Sequence, residues 1–459
     1  MSEINADAGA PDGPMMGDWA QLISFRPDLV LRPTSVDELK TVLERIHRGE
    51  LGSGRVRVPG SLHSCSNLVV SDAILDTSSL PKTMDFEPEN AAVVASANVT
   101  LHEFLAELGL RGKSVTATGG TDHQTLAGLI STGTAPASSR HALYELLEWV
   151  ELVTVDGGTG LAEVRRISRG DPDYPAAVCS LGLLGVLTRV CFRLVDELFF
   201  SVVQKVVTLD EVLADLDATS AKYDFWRINW MPKSEKALLW AATAVPREQA
   251  KPDGDYPTDE PEHVLDVAFE VLDKLTDTGP LLTGVLEVTY DVMAFTFKES
   301  HVTGPLRNML PVDRRAPLHV AMAEWSFRPQ DVHRVLGVCQ GYFDREGWPN
   351  IPTEIELTRV DGNAMSAWDW EGLSYIVKLN FMYLTEVCTE PGEKDAIYAH
   401  LRGLWEHLEA ASVPFKAHWG KINFIDPGFV RRNHRFDAFR PVISPMFMND
   451  YLAERIGPA

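Results

Sequence analysis

The order of apolar and polar residues from about 18 to 195 predicts strands and helices in alternation. Ser35-Val36-Asp37-Glu38 and Thr100-Leu101-His102-Glu103 have the spacing of capping boxes, and each begins a stretch of apolar residues at helical intervals. Two apolar runs flank Asp156-Gly157, a strong hairpin signal. A short strand is predicted at Arg55–Val58. This pattern favours a mixed α+β region over a regular series of βαβ units.

The pattern from about 196 to 395 contains more strands than helices. Alternating apolar and polar residues, or short apolar runs, predict strands at 226–230, 318–327, 353–359 and 375–383. Single helices, at about 331–345 and later at 393–411, interrupt or follow them. This order favours an antiparallel sheet covered on one face by helices. The acidic, Pro-rich stretch Lys251–His263 is predicted to be an exposed loop.

Composition narrows the class of protein. The 459 residues include 42 Lys and Arg against 65 Asp and Glu, a formal net charge of −23, which argues against nucleic-acid and anionic-membrane partners. Five scattered cysteines without a Cys-x-x-Cys pair argue against a disulfide scaffold or zinc ribbon. No apolar run is long enough to span a membrane, and residues 1–17 lack the pattern of a signal peptide. We therefore expect a cytoplasmic protein, and the sequence leaves its oligomeric state open.

Familiar catalytic motifs are missing from the chain. There is no Gly-x-Gly-x-x-Gly before a helix, no Walker loop, no Gly-x-Ser-x-Gly elbow and no His-Glu-x-x-His. The sequence therefore gives no support for a Rossmann nicotinamide site, a nucleoside triphosphatase or the commonest hydrolases, and it predicts no metal site.

Loops of small residues are the main chemical signal in the first region. They lie at Pro59–Ser64, Gly119–Thr121, Gly128–Thr134 and Ser180–Val186. Such loops expose backbone N–H groups and let the chain approach a ligand closely, which suits a pyrophosphate. Each loop alone is weak evidence, but together they indicate a nucleotide-type cofactor.

The stretch that begins at Arg57, RVPGSLHSCSNLVVSDAILDTSSL, resembles the flavin loop of the vanillyl-alcohol-oxidase superfamily, in particular the aldonolactone and sugar-alcohol oxidases. The resemblance continues through Thr118–Thr134, Ser180–Val190 and His418-Trp419-Gly420-Lys421, in the same order and spacing. It implies an α+β, two-domain FAD-binding PCMH-type fold with a substrate cap built on an antiparallel sheet flanked by helices. The implied domains are a flexible tail at 1–17, an FAD-binding domain at 18–195, the cap at 196–395 and a C-terminal segment at 396–459 that returns to the flavin domain.

The resemblance implies a set of residues that hold FAD. These are Pro59, Gly60, Ser61, Leu62, His63, Ser64, Leu68, Gly119, Gly120, Thr121, Gly128, Ser131, Thr132, Gly133, Thr134, Gly182, Gly185, Val186 and Lys421. His63 matches the histidine that many relatives bond covalently to the flavin 8α-methyl group, which raises the flavin potential and retains the cofactor. The alternative is a His63 that lines the loop without a covalent bond.

Four residues are implied as catalytic: Lys421, His418, Glu354 and Glu356. A lysine beside the isoalloxazine ring stabilises negative charge on the reduced flavin or assists deprotonation of the substrate hydroxyl. Glu354 and Glu356 are two residues apart on a predicted strand, so both side chains lie on one face.

The chain departs from the family pattern in two places. Relatives have Glu-x-Arg where this chain has Glu354 and Glu356, so a cation is replaced by an anion. This favours an amine-bearing or hydroxyl-rich substrate, unless Arg359 or Lys378 takes over the role of the arginine. Relatives also read Gly-Thr-His-Gly where this chain has Gly133-Thr134-Ala135-Pro136, which bears on oxygen access and substrate placement beside the ring.

The sequence thus predicts an FAD-dependent oxidase that takes hydride from the carbinol carbon of a polyol, a sugar lactone or an aminosugar-like metabolite. Its partners are the small-molecule substrate and O2, which is reduced to H2O2. The alternatives are a dehydrogenase of the same family with another electron acceptor, a flavin-binding protein without turnover and, last, a hydrolase or metalloenzyme.

Overall fold

The computed structural model describes residues 6–8, 14–231, 233–251, 254, 281–282, 299–309, 319–385, 388 and 392–457. Most of the loop predicted at 251–263 lies outside these residues, as do Pro232 and residues 1–5 and 9–13 of the predicted tail. Within the described ranges no helix has the length and apolar character needed to cross a bilayer.

A five-stranded antiparallel sheet forms the centre of the first region. Its strands, in spatial order, are Ala162–Ser168, Leu147–Val155, Val186–Arg193, Ala92–Ser96 and Met84–Phe86. The predicted hairpin is confirmed, because Val155 pairs with Ala162 across the turn at Asp156. Asp156 accepts hydrogen bonds from the N–H groups of Gly158 and Thr159, which closes the turn.

An eight-stranded antiparallel sheet dominates the second region. Its strands, in spatial order, are Ser300–Pro305, Phe199–Thr208, Lys236–Val245, Phe225–Trp230, Thr353–Arg359, Tyr375–Leu384, Val320–Phe327 and Lys416–Ala417. The last strand comes from beyond residue 395, so the chain returns to this sheet near its C-terminus. The α+β fold with an antiparallel sheet flanked by helices is confirmed, whereas the domain boundaries stay predictions.

The longest helices cover one face of the eight-stranded sheet. Trp325 and Phe381, from adjacent strands, pack edge-to-face against Trp405 and Phe343 of helices Glu393–Ala410 and Val332–Glu346. In the part of the chain that the structure describes, the other α-helices are Val36–His47, Leu101–Leu110, Leu126–Thr132, Tyr174–Ala177, Leu209–Leu213, Leu216–Lys222, Leu306–Met309, Pro427–Asn433, Phe436–Phe439 and Asp450–Ile456. Because strand side chains alternate, the residues next to Trp325 and Phe381 lie on the opposite face of the sheet.

The predicted helix starts agree with the structure. Ser35 and Thr100 are N-caps whose side-chain oxygens accept from the backbone N–H groups of Glu38 and Glu103. At Thr100 the box is complete, since Glu103 also accepts from the Thr100 N–H.

One prediction near the N-terminus is wrong, that of a strand at Arg55–Val58, whereas the flexible tail stays a prediction. Ala6–Ala8, within the predicted flexible tail, forms a strand that pairs with Leu29–Leu31, which in turn pairs with Ala73–Leu75. Arg55–Val58 makes only one bridge, between Arg57 and Ile74, because the Val56 N–H bonds the carbonyl of Met446 instead of a neighbouring strand. The C-terminal segment therefore holds this stretch in place.

The remaining pairs of strands are short. They are Met16–Gly17 with Ser24–Phe25, Lys113–Ser114 with Val195–Asp196, and Leu281–Leu282 with Trp348–Pro349.

Candidate functional site

A groove of about 1020 Å³, including its open mouth, runs between three of the predicted loops. The predicted cofactor residues that line it are Pro59, Gly60, Ser61, Leu62, His63, Ser64, Leu68, Gly128, Ser131, Thr132, Gly182, Gly185 and Val186. Six of the predicted cofactor residues do not line this groove: Gly119, Gly120, Thr121, Gly133, Thr134 and Lys421. Gly119 instead packs against Thr134: a Cβ at Gly119 would lie 2.5 Å from Thr134 Cγ2. Gly119 therefore serves the packing of two loops against each other.

The loop at 60–64 offers a row of backbone donors. No described protein group accepts a hydrogen bond from the N–H groups of these five residues. Leu62 adopts a left-handed conformation with φ of 56°, which turns the chain sharply in the middle of the loop. A Cβ at Gly60 would lie 2.7 Å from Thr125 Oγ1, so only glycine lets the loop come this close to the helix at 126–132. A concave row of free N–H groups fits the phosphate oxygens of a dinucleotide.

A buried guanidinium lies beneath this loop. Arg57 is 3% exposed and donates to the carbonyls of Phe447 and Leu181, the latter at 2.7 Å. Burial lowers the pKa of Arg57 to about 10, and no carboxylate of the described residues forms an ion pair with it. A buried positive charge without a counter-charge is costly. This charge therefore suits a groove that receives an anionic group. No sequence pattern predicted a role for Arg57.

We expect Arg57→Met to reduce the free energy of unfolding by about 2–5 kcal/mol, because two buried carbonyls lose their donors while the volume is largely kept. Urea unfolding monitored by circular dichroism measures the change. Arg55→Met is the matched control, since Arg55 forms a surface ion pair with Asp450 at 2.9 Å, and such pairs contribute at most about 1 kcal/mol. Equal losses in both variants would contradict a bridging role for Arg57.

The segment His418–Lys421 packs directly on residues 65 and 66, which follow the loop at 60–64. The Cys65 N–H donates to the Gly420 carbonyl at 2.8 Å, and the Ser66 hydroxyl donates to the Trp419 carbonyl at 2.7 Å. The ammonium of Lys421 forms no ion pair within the described ranges, and its charge acts on both His63 and Glu324. Lys421 is thus a half-buried cation between the groove and the eight-stranded sheet.

His63 lies in the groove between two other rings. Its ring centroid is 5.9 Å from that of Trp19 and 6.1 Å from that of His123, whose ring is parallel to it. Burial, followed by the charges of Lys421 and His123, lowers the pKa of His63 to about 4. The imidazole is therefore neutral near pH 7 and keeps a lone pair on one nitrogen.

His418 is fixed as a neutral hydrogen-bond donor. Its Nδ1 accepts from the Gly420 N–H at 3.0 Å, and burial lowers its pKa to about 4. With Nδ1 as acceptor, the proton of the neutral ring is on Nε2. His418 therefore presents an N–H to the site.

Polar side chains are concentrated on the face of the eight-stranded sheet opposite the helices, which we call the polar face. Its members are Gln204, Arg227, Glu324, Ser326, Glu354, Glu356, Thr358, Lys378 and Asn380. The prediction that Glu354 and Glu356 share one face is confirmed, since Glu354 pairs with Asn380 and Glu356 with Lys378 in register.

Each of the two glutamates is paired with a cation, although Glu356 shares its cation with Glu324. Glu354 Oε1 is 2.7 Å from Arg227 Nη1, and Glu354 Oε2 accepts from Asn380 Nδ2 at 3.0 Å. Glu356 Oε2 is 2.8 Å from the ammonium of Lys378. With Lys421 acting on Glu324, the three carboxylates of this face are matched by three cations, which removes the electrostatic argument for a cationic substrate.

Of the two alternatives to the missing arginine, only Lys378 lies at the site. Arg359 points to the surface, where it is 2.7 Å from Glu145 Oε2. Lys378 is 2% exposed and also lies 3.2 Å from Glu324 Oε1. Burial acts to lower the pKa of Lys378, but Glu356 and Glu324 outweigh it and the net shift is upward. The lysine is therefore a permanent cation.

Residues 133–138, which we call the strap, connect the groove to the polar face. Almost every carbonyl in the strap accepts a hydrogen bond from the second region. The pairs are Trp368 Nε1 to Gly133, Lys378 Nζ to Ala135, Thr358 Oγ1 to Pro136, and the N–H groups of Trp226 and Arg359 to Ala137 and Ser138. The departure at Ala135-Pro136 thus forms part of a tight junction between the two regions.

Several residues of this site carry no role predicted from the sequence: Glu324, Asn380, Arg227, Trp368 and Arg57. One signal was available. Lys378 and Asn380 are two apart in the otherwise apolar strand Tyr375–Leu384, which places both on one face as for Glu354 and Glu356. Asn380 Oδ1 is buried with no hydrogen-bond partner in the described part of the chain. An unsatisfied buried acceptor on this face suits a ligand that donates a hydroxyl.

Two family models match the chain. The model of the FAD binding domain matches residues 27–160, and the model of D-arabinono-1,4-lactone oxidase matches residues 190–454. The first contains the loop at 59–64 and the helix at 126–132, and the second contains the polar face and the segment His418–Lys421.

Curated relatives are lactone oxidases. D-arabinono-1,4-lactone oxidase of Saccharomyces cerevisiae is 29% identical over 241 residues, which is 51% of this chain and 45% of the yeast protein, so less than half of that protein is matched. L-gulonolactone oxidase of Mus musculus is 26% identical over 96% of this chain and 98% of its own length.

Solved structures share the fold. Cholesterol oxidase from B. sterolicum has a TM-score of 0.73 at 15% identity, and covers 100% of both chains. A solvent-stable cholesterol oxidase has a TM-score of 0.69 at 20% identity, covering 92% of this chain and 89% of its own. At these identities the likeness concerns architecture alone.

Proposed function

Because this chain belongs to the D-arabinono-1,4-lactone oxidase family, we propose that it oxidises a hydroxyl-bearing carbon of a sugar lactone or a related polyhydroxy compound. It is an oxidoreductase with an FAD-binding domain. When bound, FAD accepts the hydride from the carbinol carbon and passes the electrons to O2, which becomes H2O2. We further propose that the protein acts in the cytoplasm.

The polar face is the observation that carries this proposal. It has carboxylate and amide acceptors, among them the unsatisfied Asn380 Oδ1, next to the strap and the groove. Such acceptors bind compounds that present several hydroxyl donors. Because Arg227, Lys378 and Lys421 together offset Glu324, Glu354 and Glu356, a neutral hydroxylated substrate fits better than a cationic amine.

Different side chains and backbone groups of this chain would bind the cofactor and orient the substrate. The N–H row at residues 60–64 and Arg57 would hold the diphosphate of FAD, and His63 would bond its dimethylbenzene edge. Lys421 supplies a cation to the site, and His418 donates from Nε2. Glu354, held by Arg227 and Asn380, would orient the hydroxyl groups of the substrate.

Anaerobic mixing with D-arabinono-1,4-lactone, L-gulonolactone, a polyol and an aminosugar tests the proposed substrate class. We expect a lactone to bleach the flavin absorbance, and admission of air to restore the colour with release of H2O2. Bleaching by the aminosugar alone would contradict the neutral-substrate proposal.

The electron acceptor is tested in the same experiment. Reduced protein that stays bleached in air but transfers electrons to a dye or quinone would replace the oxidase by a dehydrogenase of the same family. A flavin that no compound of the panel reduces would favour a flavin-binding protein without turnover.

A further inference from the structure

One buried ammonium connects two carboxylates on the polar face. Lys378 Nζ lies 2.8 Å from Glu356 Oε2, 3.2 Å from Glu324 Oε1 and 3.3 Å from the Ala135 carbonyl oxygen. An ammonium has three N–H donors, so all of them are used. Lys378 therefore has no donor left for a ligand and can act on the reaction only through the groups that it holds.

Glu356 and Glu324 are both left half free by this arrangement. Burial acts to raise the pKa of Glu324, but Lys378, His418 and Lys421 outweigh it and lower that pKa, so Glu356 is the better proton acceptor. Its Oε2 is bound by Lys378, whereas its Oε1 makes no hydrogen bond to a described group. Both oxygens of Glu354 are engaged, by Arg227 and Asn380. His418 already accepts at Nδ1 and carries its proton on Nε2. Among these three predicted catalytic residues, Glu356 has the available acceptor.

We propose that Lys378 is a positioning residue that holds Glu356 as the acceptor of the substrate's hydroxyl proton. The inference rests on the proposed oxidation of a hydroxyl-bearing carbon. The O–H bond breaks toward Glu356 Oε1, and its electron pair stays on the substrate oxygen. That pair forms the carbonyl bond as the hydride leaves the same carbon for FAD, so the oxidised substrate loses two electrons and two hydrogens in total.

The charges around Glu356 determine the direction of the expected pH effect. Lys378, Glu354 and Arg227 face Glu356; Glu324 faces Lys378, and His418 and Lys421 face Glu324. Burial raises the pKa of Glu356, Lys378 opposes this rise, and Glu354 adds to it. Glu356 accepts a proton only when ionised, so activity falls as the pH drops through its pKa. Loss of the ammonium moves that fall to higher pH.

The pH profile of kcat/KM for lactone oxidation tests the proposal. In Lys378→Met we expect the acid limb to move upward by about one pH unit or more, and in Lys378→Arg to stay close to that of the parent protein. Glu356→Gln is expected to lower kcat/KM by about 10²- to 10⁴-fold. Lys416→Met is the matched control, because Lys416 is also a buried lysine over a tryptophan ring but donates to the Asp369 carbonyl.

The protonation of Glu356 can also be measured without substrate turnover. Infrared titration of the carboxyl C=O band that disappears in Glu356→Gln gives the midpoint of Glu356 directly. We expect Lys378→Met to raise this midpoint and Lys416→Met to leave it unchanged. If Lys378→Met does not fold, Lys378→Gln takes its place and is likewise expected to raise the midpoint, with circular dichroism as the check on folding.

The outcomes separate the two proposals. A rate that falls by the same factor at every pH in Lys378→Met, with an unmoved infrared midpoint, would assign Lys378 a structural role only and overturn the inference. Glu356→Gln with more than a tenth of the parent activity would exclude Glu356 as the acceptor. A shifted midpoint in a protein that oxidises no substrate of the panel would instead count against the proposed function.

Discussion

In His63→Ala, all of the yellow colour is expected to appear in the supernatant after acid precipitation, whereas in the parent protein it is expected in the pellet. The imidazole of His63 lies in the groove, and burial with the charges of Lys421 and His123 holds its pKa at about 4. Its lone pair is therefore available above about pH 5 for a bond to the flavin. Absorbance spectra of pellet and supernatant, and the mass of the intact chain, measure the result.

His102→Ala is the control for this change. His102 belongs to the same part of the surface, where it binds Asp122 at 2.8 Å, but it is mostly exposed and lies outside the groove lining. After acid precipitation of His102→Ala, the yellow colour should stay in the pellet. Colour in the supernatant for the parent protein would exclude the covalent bond and leave the binding of FAD itself unaffected.

In Lys421→Met, the rate of flavin reduction by a lactone is expected to fall by about 10²- to 10³-fold, the usual effect of removing one preorganised charge from an active site. The ammonium forms no ion pair within the described residues, and its charge reaches both His63 and Glu324. The Lys421 ammonium is thus able to stabilise negative charge that develops during the reaction. Anaerobic stopped-flow absorbance measures the rate.

The flavin midpoint potential separates this effect from a loss of structure. We expect Lys421→Met to lower it, since a cation near the ring stabilises the reduced form. Lys394→Met is the control, because the Lys394 ammonium is exposed and donates to the Gln21 carbonyl at 2.7 Å. An unchanged rate in Lys421→Met would remove Lys421 from the reaction.

Local patterns were sufficient to predict much of the fold. The capping residues Ser35 and Thr100, the turn at Asp156 and the strand Thr353–Arg359 all depend on interactions within a few residues. The shared face of Glu354 and Glu356 follows from the two-residue period of a strand. The loop at 59–64 was identified because its small residues serve both the turn and the free N–H groups.

Contacts between segments that are far apart in sequence could not be predicted from such local patterns. Glu356 meets Lys378 because two strands pair in one particular register, and Glu324 reaches Lys378 from the next strand. Arg57 is buried because segments near residues 181 and 447 surround it. Gly119 and Gly133 lie outside the groove lining, where the lack of a Cβ lets the chain pack closely on Thr134 and Cys179. Composition cannot distinguish these uses of small residues.

The C-terminal segment that holds the loop at residues 55–70 has a consequence for biosynthesis. Met446 and Phe447 bind Val56 and Arg57, and the Asn449 amide donates to three carbonyls of residues 67–70. A chain still emerging from the ribosome has made the loop but lacks the residues that shape it. Domains usually fold as units while synthesis proceeds. Here cofactor loading should instead wait until residues 446–449 have been synthesised and have packed against the loop.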